Sequence, residues 1–162
     1  MTLHLFDDLD DVDVRQEPLG QGAIVLHGFA ASGDRALLVA LEDVVTQAPF
    51  RHMVTPGGFR MSVAMTNCGA FGWVTDRTGY RYDTLDPVSG RHWPPMPDGF
   101  LNLATGAAAA AGFQNFIPDA CLINCYGPGT RLTCIRTRTS KIILSLLSPF
   151  PSEFRRSSCS AD

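Results

Sequence analysis

The chain has 162 residues, 45% of them hydrophobic and 9% aromatic, with a mean hydropathy of +0.05, which suits one packed domain and excludes a disordered polymer. A net charge of −3 gives no basic footprint for nucleic acid, but residues 1–17 hold six of the sixteen acids with Arg15 as their one base, leaving ten acids against twelve bases elsewhere. Twelve of the thirteen bases are Arg, which permits planar phosphate contacts without indicating them.

In chain order, residues 1–13 carry five aspartates and no base, the reverse of a secretory or mitochondrial leader, so a cytoplasmic protein is expected, with residues 1–17 as an acidic, mobile tail. Residues 22–29 (GAIVLHGF) read as a strand bounded by glycines. Ser32 is the expected N-cap of a helix reaching Gln47, because Leu37, Leu38, Leu41, Val44 and Val45 recur at helical spacing and Pro49 stops it. Residues 55–58 (TPGG) form a turn by composition. Residues 61–66 alternate, with Met61, Val63 and Met65 on one face and Ser62, Ala64 and Thr66 on the other. Tyr80 and Tyr82 share a face if their segment is extended. The Pro- and Gly-rich residues 86–99 predict an irregular surface loop. A second helix is expected over 101–111, closed by Gly112, and residues 119–126 (DACLINCY) read as a half-buried strand. The alanine-rich 103–113 stretch is too short to span a bilayer, so no membrane partner is expected.

Little here announces an enzyme. His4, His27, His52 and His92 are scattered, with no partner at metal-ligand spacing, and no nucleophile elbow or phosphate-cradling glycine motif occurs. Cys68, Cys121, Cys125, Cys134 and Cys159 are odd in number and offer no tetrahedral zinc pattern, so they read as free, structural thiols. Met61, Met65, Trp73, Tyr80 and Tyr82 are either plain core or the lining of a pocket that grips an unstacked base, with Arg51, Arg60, Arg77 and Arg81 near enough to neutralise phosphates.

Three strings bear on that choice: residues 49–73 (PFRHMVTPGGFRMSVAMTNCGAFGW), Tyr80-Arg81-Tyr82, and residues 118–126 (PDACLINCY). Together they resemble the AlkB family of Fe(II)- and 2-oxoglutarate-dependent DNA-repair dioxygenases, over roughly residues 16–133. The resemblance implies a double-stranded β-helix, or jelly roll, preceded by a nucleotide-recognition lid and flanking helices. It is an α+β, mainly β fold, expected here to be incomplete. It implies oxidative removal of methyl groups from adenine or cytosine ring nitrogens in single- or double-stranded DNA, with RNA as a further substrate, by a monomer. It assigns substrate contacts to Trp73, Tyr80 and Tyr82, and the approach to the flipped base to Thr55, Met61 and Met65. Asn124 and Tyr126 match the residues that bind the 2-oxoglutarate carboxylates, while Cys125 replaces an arginine of the pattern.

The pattern then breaks. Where the family carries an iron-binding His-x-Asp pair, this chain has Ile135 and Thr137, neither of which ligates Fe(II), and His92 is the last histidine. Codons chosen for residues 134–142 (CIRTRTSKI) and read one base earlier can spell Leu-His-Gln-Asp-Lys-Asp-Glu-Gln-Asp, which is family-like. A frameshift near Thr133 is therefore expected, with residues 18–133 as the family portion and 134–162 as a foreign tail. No catalytic or metal residue is assigned, and the chain is expected to be truncated and inactive, with poor solubility through its apolar 142–147 run. The alternatives are a non-catalytic module that binds alkylated nucleic acid and an inert pseudogene product.

Overall fold

The computed structural model describes residues 15–20 and 22–127. The expectations for residues 1–14, for Ile135, Thr137 and the tail, and for the 142–147 run lie outside the described residues.

The first finding is a strand where the tail was expected to continue. β1 (Arg15–Gly20) pairs antiparallel with β2 (Ala23–His27), from Arg15 opposite His27 to Gly20 opposite Ala23. Its sequence, RQEPLG, has poor strand propensity, so its extension comes from the partner strand. His27 Nε2 meets Glu17 Oε2 at 2.8 Å across this pair.

The first helix keeps its expected end but not its expected start. Ser32 lies inside a 3-10 turn (Ala31–Gly33), and α1 (Asp34–Gln47) follows Gly33 with no side-chain cap. Asp34 supplies first-turn negative charge in place of a capping hydroxyl. The apolar spacing holds: Leu41 and Val44 are buried, and Leu38 and Val45 pack beside them.

β3 (Arg51–Val54) and β4 (Arg60–Gly69) form a hairpin around the TPGG turn, where the Gly58 N–H donates to the Thr55 carbonyl at 2.8 Å. β4 then pairs with β7 (Ala120–Cys125) in unbroken antiparallel register from Ala64↔Cys125 to Gly69↔Ala120, giving the order β3-β4-β7. Gly69, at φ +113, permits the close approach at the end of this ladder; a Cβ there would lie 2.6 Å from the Asp119 carbonyl oxygen. β5 (Gly72–Asp76) and β6 (Gly79–Asp83) make a separate hairpin lying against β3, β4 and β7.

α2 (Asp98–Ala110) begins three residues before the expected Leu101, directly after Pro97, whose fixed φ suits a helix entrance. It ends as expected, with Gly112 at φ +89. Among the described residues the fold is mainly β with two α-helices, which agrees with part of a jelly roll. No helix among the described residues is long and apolar enough to cross a membrane.

Alternation along β4 sets two cores. On one side Ala64 joins Leu41 and Phe50, with Phe100, Ile123 and Cys125 at its edge. On the other, Met65 joins Met53, Val74, Trp93 and Ala48, with Met61, Val63 and Trp73 packed alongside. Met61, Val63 and Met65 share a face as their spacing predicts.

Candidate functional site

The hairpin side of the sheet collects the residues singled out from the sequence. Trp73 lies opposite Tyr82 and Thr75 opposite Tyr80, so these four side chains leave β5 and β6 on one face. The Trp73 and Tyr80 rings stack, with centroids 5.7 Å apart and planes 27° from parallel. Tyr80 is 60% exposed and Tyr82 54%, whereas Trp73 is half-buried against the core of Ala48, Met53, Met65, Val74 and Trp93. The result is an aromatic ledge with its roots in the core and its rings in solvent.

The other expected contacts divide. Met65 is buried, 3% exposed, beneath the ledge, while Met61 is half-buried at its margin. Thr55 lies in the β3–β4 turn, where its Oγ1 accepts from the Phe59 N–H at 3.2 Å. Asn124 pairs with Met65, and so points to the ledge side of the sheet. Leu122, Asn124 and Tyr126 are exposed while Cys121, Ile123 and Cys125 are half-buried, so the two expected 2-oxoglutarate ligands follow one alternation. One face of the sheet thus carries both groups, with α1 and the Ile123–Cys125 core behind it.

The four arginines near the ledge are not equivalent. Arg51 is committed to Asp86 through Nη1–Oδ2 at 2.7 Å and Nη2–Oδ1 at 2.5 Å, and its guanidinium lies 5.4 Å from the Trp93 ring centroid. Burial pushes the Asp86 carboxyl up, but Arg51, the Val88 N–H and the Ser89 hydroxyl outweigh this and hold it at about 2. Arg81 is spanned by Asp76 at 2.9 Å and Asp83 at 3.3 Å. The Thr78 hydroxyl, the Thr78 N–H and Arg81 hold Asp76 at about 2. Arg60 and Arg77 are exposed and form no ion pair among the described residues.

Several residues that shape the site gave no signal in the sequence. Asp86 folds the 86–91 turn, accepting from the Val88 N–H at 3.0 Å and the Ser89 hydroxyl at 2.8 Å. Trp93 is buried, donates Nε1–H to the Asp83 carbonyl at 3.0 Å, and fills the space where a Cβ on Gly72 would stand, 2.3 Å from its ring. Half of the expected irregular loop is therefore a polar and aromatic plug. Cys68 faces Cys121 across the β4–β7 ladder, and its hydrogen bond to Cys121, with burial, pushes its thiol well up, as expected of an inert structural cysteine. The histidines are also structural where described: His52 Nδ1–H donates to the Met61 carbonyl at 2.8 Å, and His92 Nδ1–H to that of Thr84 at 3.2 Å.

Among the described residues no three His, Cys, Asp or Glu side chains gather closely enough to hold a metal ion. The donors among the described residues do not by themselves make an iron centre.

The family model of the 2OG-Fe(II) oxygenase superfamily matches residues 22–134. The chain belongs to that superfamily. Within it, the chain is 51% identical over 129 residues, 80% of its length, to the alpha-ketoglutarate-dependent dioxygenase AlkB of Escherichia coli (strain K12). It is 54% identical over 118 residues to the protein of that name from Salmonella typhimurium, and 44% over 101 residues to an AlkB homolog of Caulobacter vibrioides. The AlkB-type resemblance drawn from the TPGG, MSVAMTNCG and PDACLIN strings is borne out. The chain spans 60%, 55% and 44% of those three proteins' lengths.

Proposed function

We propose that residues 18–133 form the base-recognition part of an alkylated-base demethylase. The Trp73–Tyr80–Tyr82 ledge would grip a methylated adenine or cytosine from DNA, single- or double-stranded, or from RNA. The stacked Trp73–Tyr80 pair, rooted in core yet open to solvent, carries this reading, because a flat ring with one free face is what an unstacked base binds. Arg60 and Arg77, exposed and without an ion pair among the described residues, would meet the phosphates, and Thr55, Met61 and Met65 would set the shape and stiffness of the floor. The names of the relatives, all alpha-ketoglutarate-dependent dioxygenases, support the same class of chemistry.

Fe(II) with 2-oxoglutarate supplies the oxidising power in this superfamily. Asn124 and Tyr126 are suited to orient a 2-oxoglutarate carboxylate, since an amide N–H and a phenol O–H donate without competing for a metal. Ile135 and Thr137 stand where a His-x-Asp pair is needed, and the family match ends at residue 134, which supports a break in the coding frame there. The chain as written therefore binds methylated oligonucleotide but does not demethylate it.

Two titrations test this. A single-stranded oligonucleotide carrying methyladenine should bind saturably, and Trp73→Ala should abolish most of the affinity. Fe(II) added with 2-oxoglutarate should neither bind stoichiometrically nor release formaldehyde. Stoichiometric iron binding would refute the reading of residues 134–137, and the nucleotide sequence of codons 130–145 would then show no family-like second frame.

A further inference from the structure

We propose that Asn67 is a positioning residue that sets the orientation of the aromatic ledge, an inference that rests on the reading of the ledge as a base-binding surface. Asn67 is fully buried in β4, at 0% exposure, on the same face as Met65. Its side-chain amide is used twice on one residue: Nδ2–H donates to the Trp73 carbonyl at 3.0 Å, and Oδ1 accepts from the Trp73 N–H at 2.9 Å. The N–H and C=O of one strand residue point to the same side. With both turned toward Asn67, Trp73 offers neither to β6, and Trp73↔Tyr82 becomes a pair of the close, non-hydrogen-bonded kind. The amide stands in for a neighbouring strand at this single position, on the edge of β5 away from β6.

A buried asparagine used this way is poor value for stability alone. An apolar side chain would pack there with less desolvation if Trp73 did not need fixing. What the two bonds fix is the azimuth of β5 at the residue that bears the indole, six positions along the chain and across the Gly69–Gly72 connection. Trp73 stacks on Tyr80, so its backbone setting is passed to the exposed ring. It is passed also to Tyr82, directly opposite. The same β4 face carries Met65, whose ladder partner is Asn124, so Asn67 ties the ledge to the strand pair that bears the proposed 2-oxoglutarate ligands.

The experiment uses the full 162-residue chain labelled with fluorotryptophan, which gives two fluorine signals, Trp73 and Trp93, assigned with Trp73→Phe. Asn67→Leu keeps the volume and removes both hydrogen bonds. Its Trp93 signal should stay that of a folded protein while its Trp73 signal broadens or splits. Affinity for the methyladenine oligonucleotide should fall about tenfold, the size expected when a contact group is loosened rather than removed. Asn67→Asp, which can accept from the Trp73 N–H but repels the carbonyl when ionised, should fall on the same side of wild type. A Trp73 signal and an affinity unchanged in Asn67→Leu would overturn the proposal, as would collapse of both signals in both variants, which would make Asn67 a support of the whole fold. If the wild-type chain binds no methylated oligonucleotide, the base-binding reading fails, while the fluorine signals still decide whether Asn67 sets Trp73.

Discussion

On its helix side β4 buries Ala64 beside Leu41 and Phe50, with Ile123 at the edge, and the buried Thr66 hydroxyl donates to the Ala48 carbonyl at 2.6 Å. On its hairpin side the same strand buries Met65 and Asn67 beside Trp73, Val74 and Trp93, and several side-chain ties run through that layer: Asn67 to Trp73, Arg51 to Asp86, and the Trp93 indole to Asp83. The helix side is held by apolar contact, which is non-directional and tolerant. The hairpin side is held by directional bonds at named atoms, which specify where rings point. Function is expected on the second kind of surface, and the exposed Tyr80, Tyr82, Asn124 and Tyr126 all lie there.

The contrast is sharpest at Asp86. Asp86→Ala leaves Arg51 without its carboxylate beside Trp93 and removes the acceptor that closes the 86–91 turn, so a loss of about 3 kcal/mol in urea unfolding is expected, at the low end for a buried pair because Arg51 keeps some solvent. The pair also predicts a pH dependence. Asp86 is held at about 2 against an ordinary 3.8, so its stabilisation is complete above about pH 4 and drains away as pH falls toward 2. Wild type should lose urea resistance over that window, and Asp86→Asn should lose less of it. Equal acid sensitivity in the two would show that the tie contributes nothing.

Next in size is Gly72→Ala. A methyl group 2.3 Å from the buried Trp93 ring forces the plug or the hairpin to move, at a cost of about 1–3 kcal/mol, whereas Val39→Ala on the exposed side of α1 should be nearly silent by the same measurement. Trp73→Ala should change stability modestly but weaken methyladenine oligonucleotide binding by roughly tenfold or more, the scale of one lost base stack. The smallest effects belong to Arg60→Ser and Arg77→Ser, each lowering affinity about threefold and reducing the salt slope by about one, with no change in preference for the methylated base. An equal effect from Arg81→Ser would contradict the reading that Asp76 and Asp83 already occupy that guanidinium.

Much of the helix side was legible in the sequence, because it obeys short-range periodicity. Leu38, Leu41, Val44 and Val45 at helical spacing placed α1, strict alternation placed the faces of β4, and Gly112 marked the end of α2. β1 was not legible, since RQEPLG becomes a strand only through pairing with β2. Ser32 was assigned a capping role that the preceding 3-10 turn pre-empts. The ties of the hairpin side were invisible for a different reason. Asn67 and Trp73, Arg51 and Asp86, and Gly72 and Trp93 are partners that tertiary folding selects, and no composition or period distinguishes these polar residues from solvated ones. The ledge aromatics stood out as a set by residue type, but only resemblance to a family moved them from plain core toward a base pocket, and the structure adds that Met65 is buried while Tyr80 and Tyr82 are surface.

The most direct test is fluorescence anisotropy of a methyladenine-containing single strand titrated with the intact chain and with Trp73→Ala, beside an unmethylated strand of the same sequence. The account predicts saturable binding that favours the methylated strand, with that preference lost in Trp73→Ala. Equal binding of both strands by wild type, or a preference untouched by removing the indole, would contradict it.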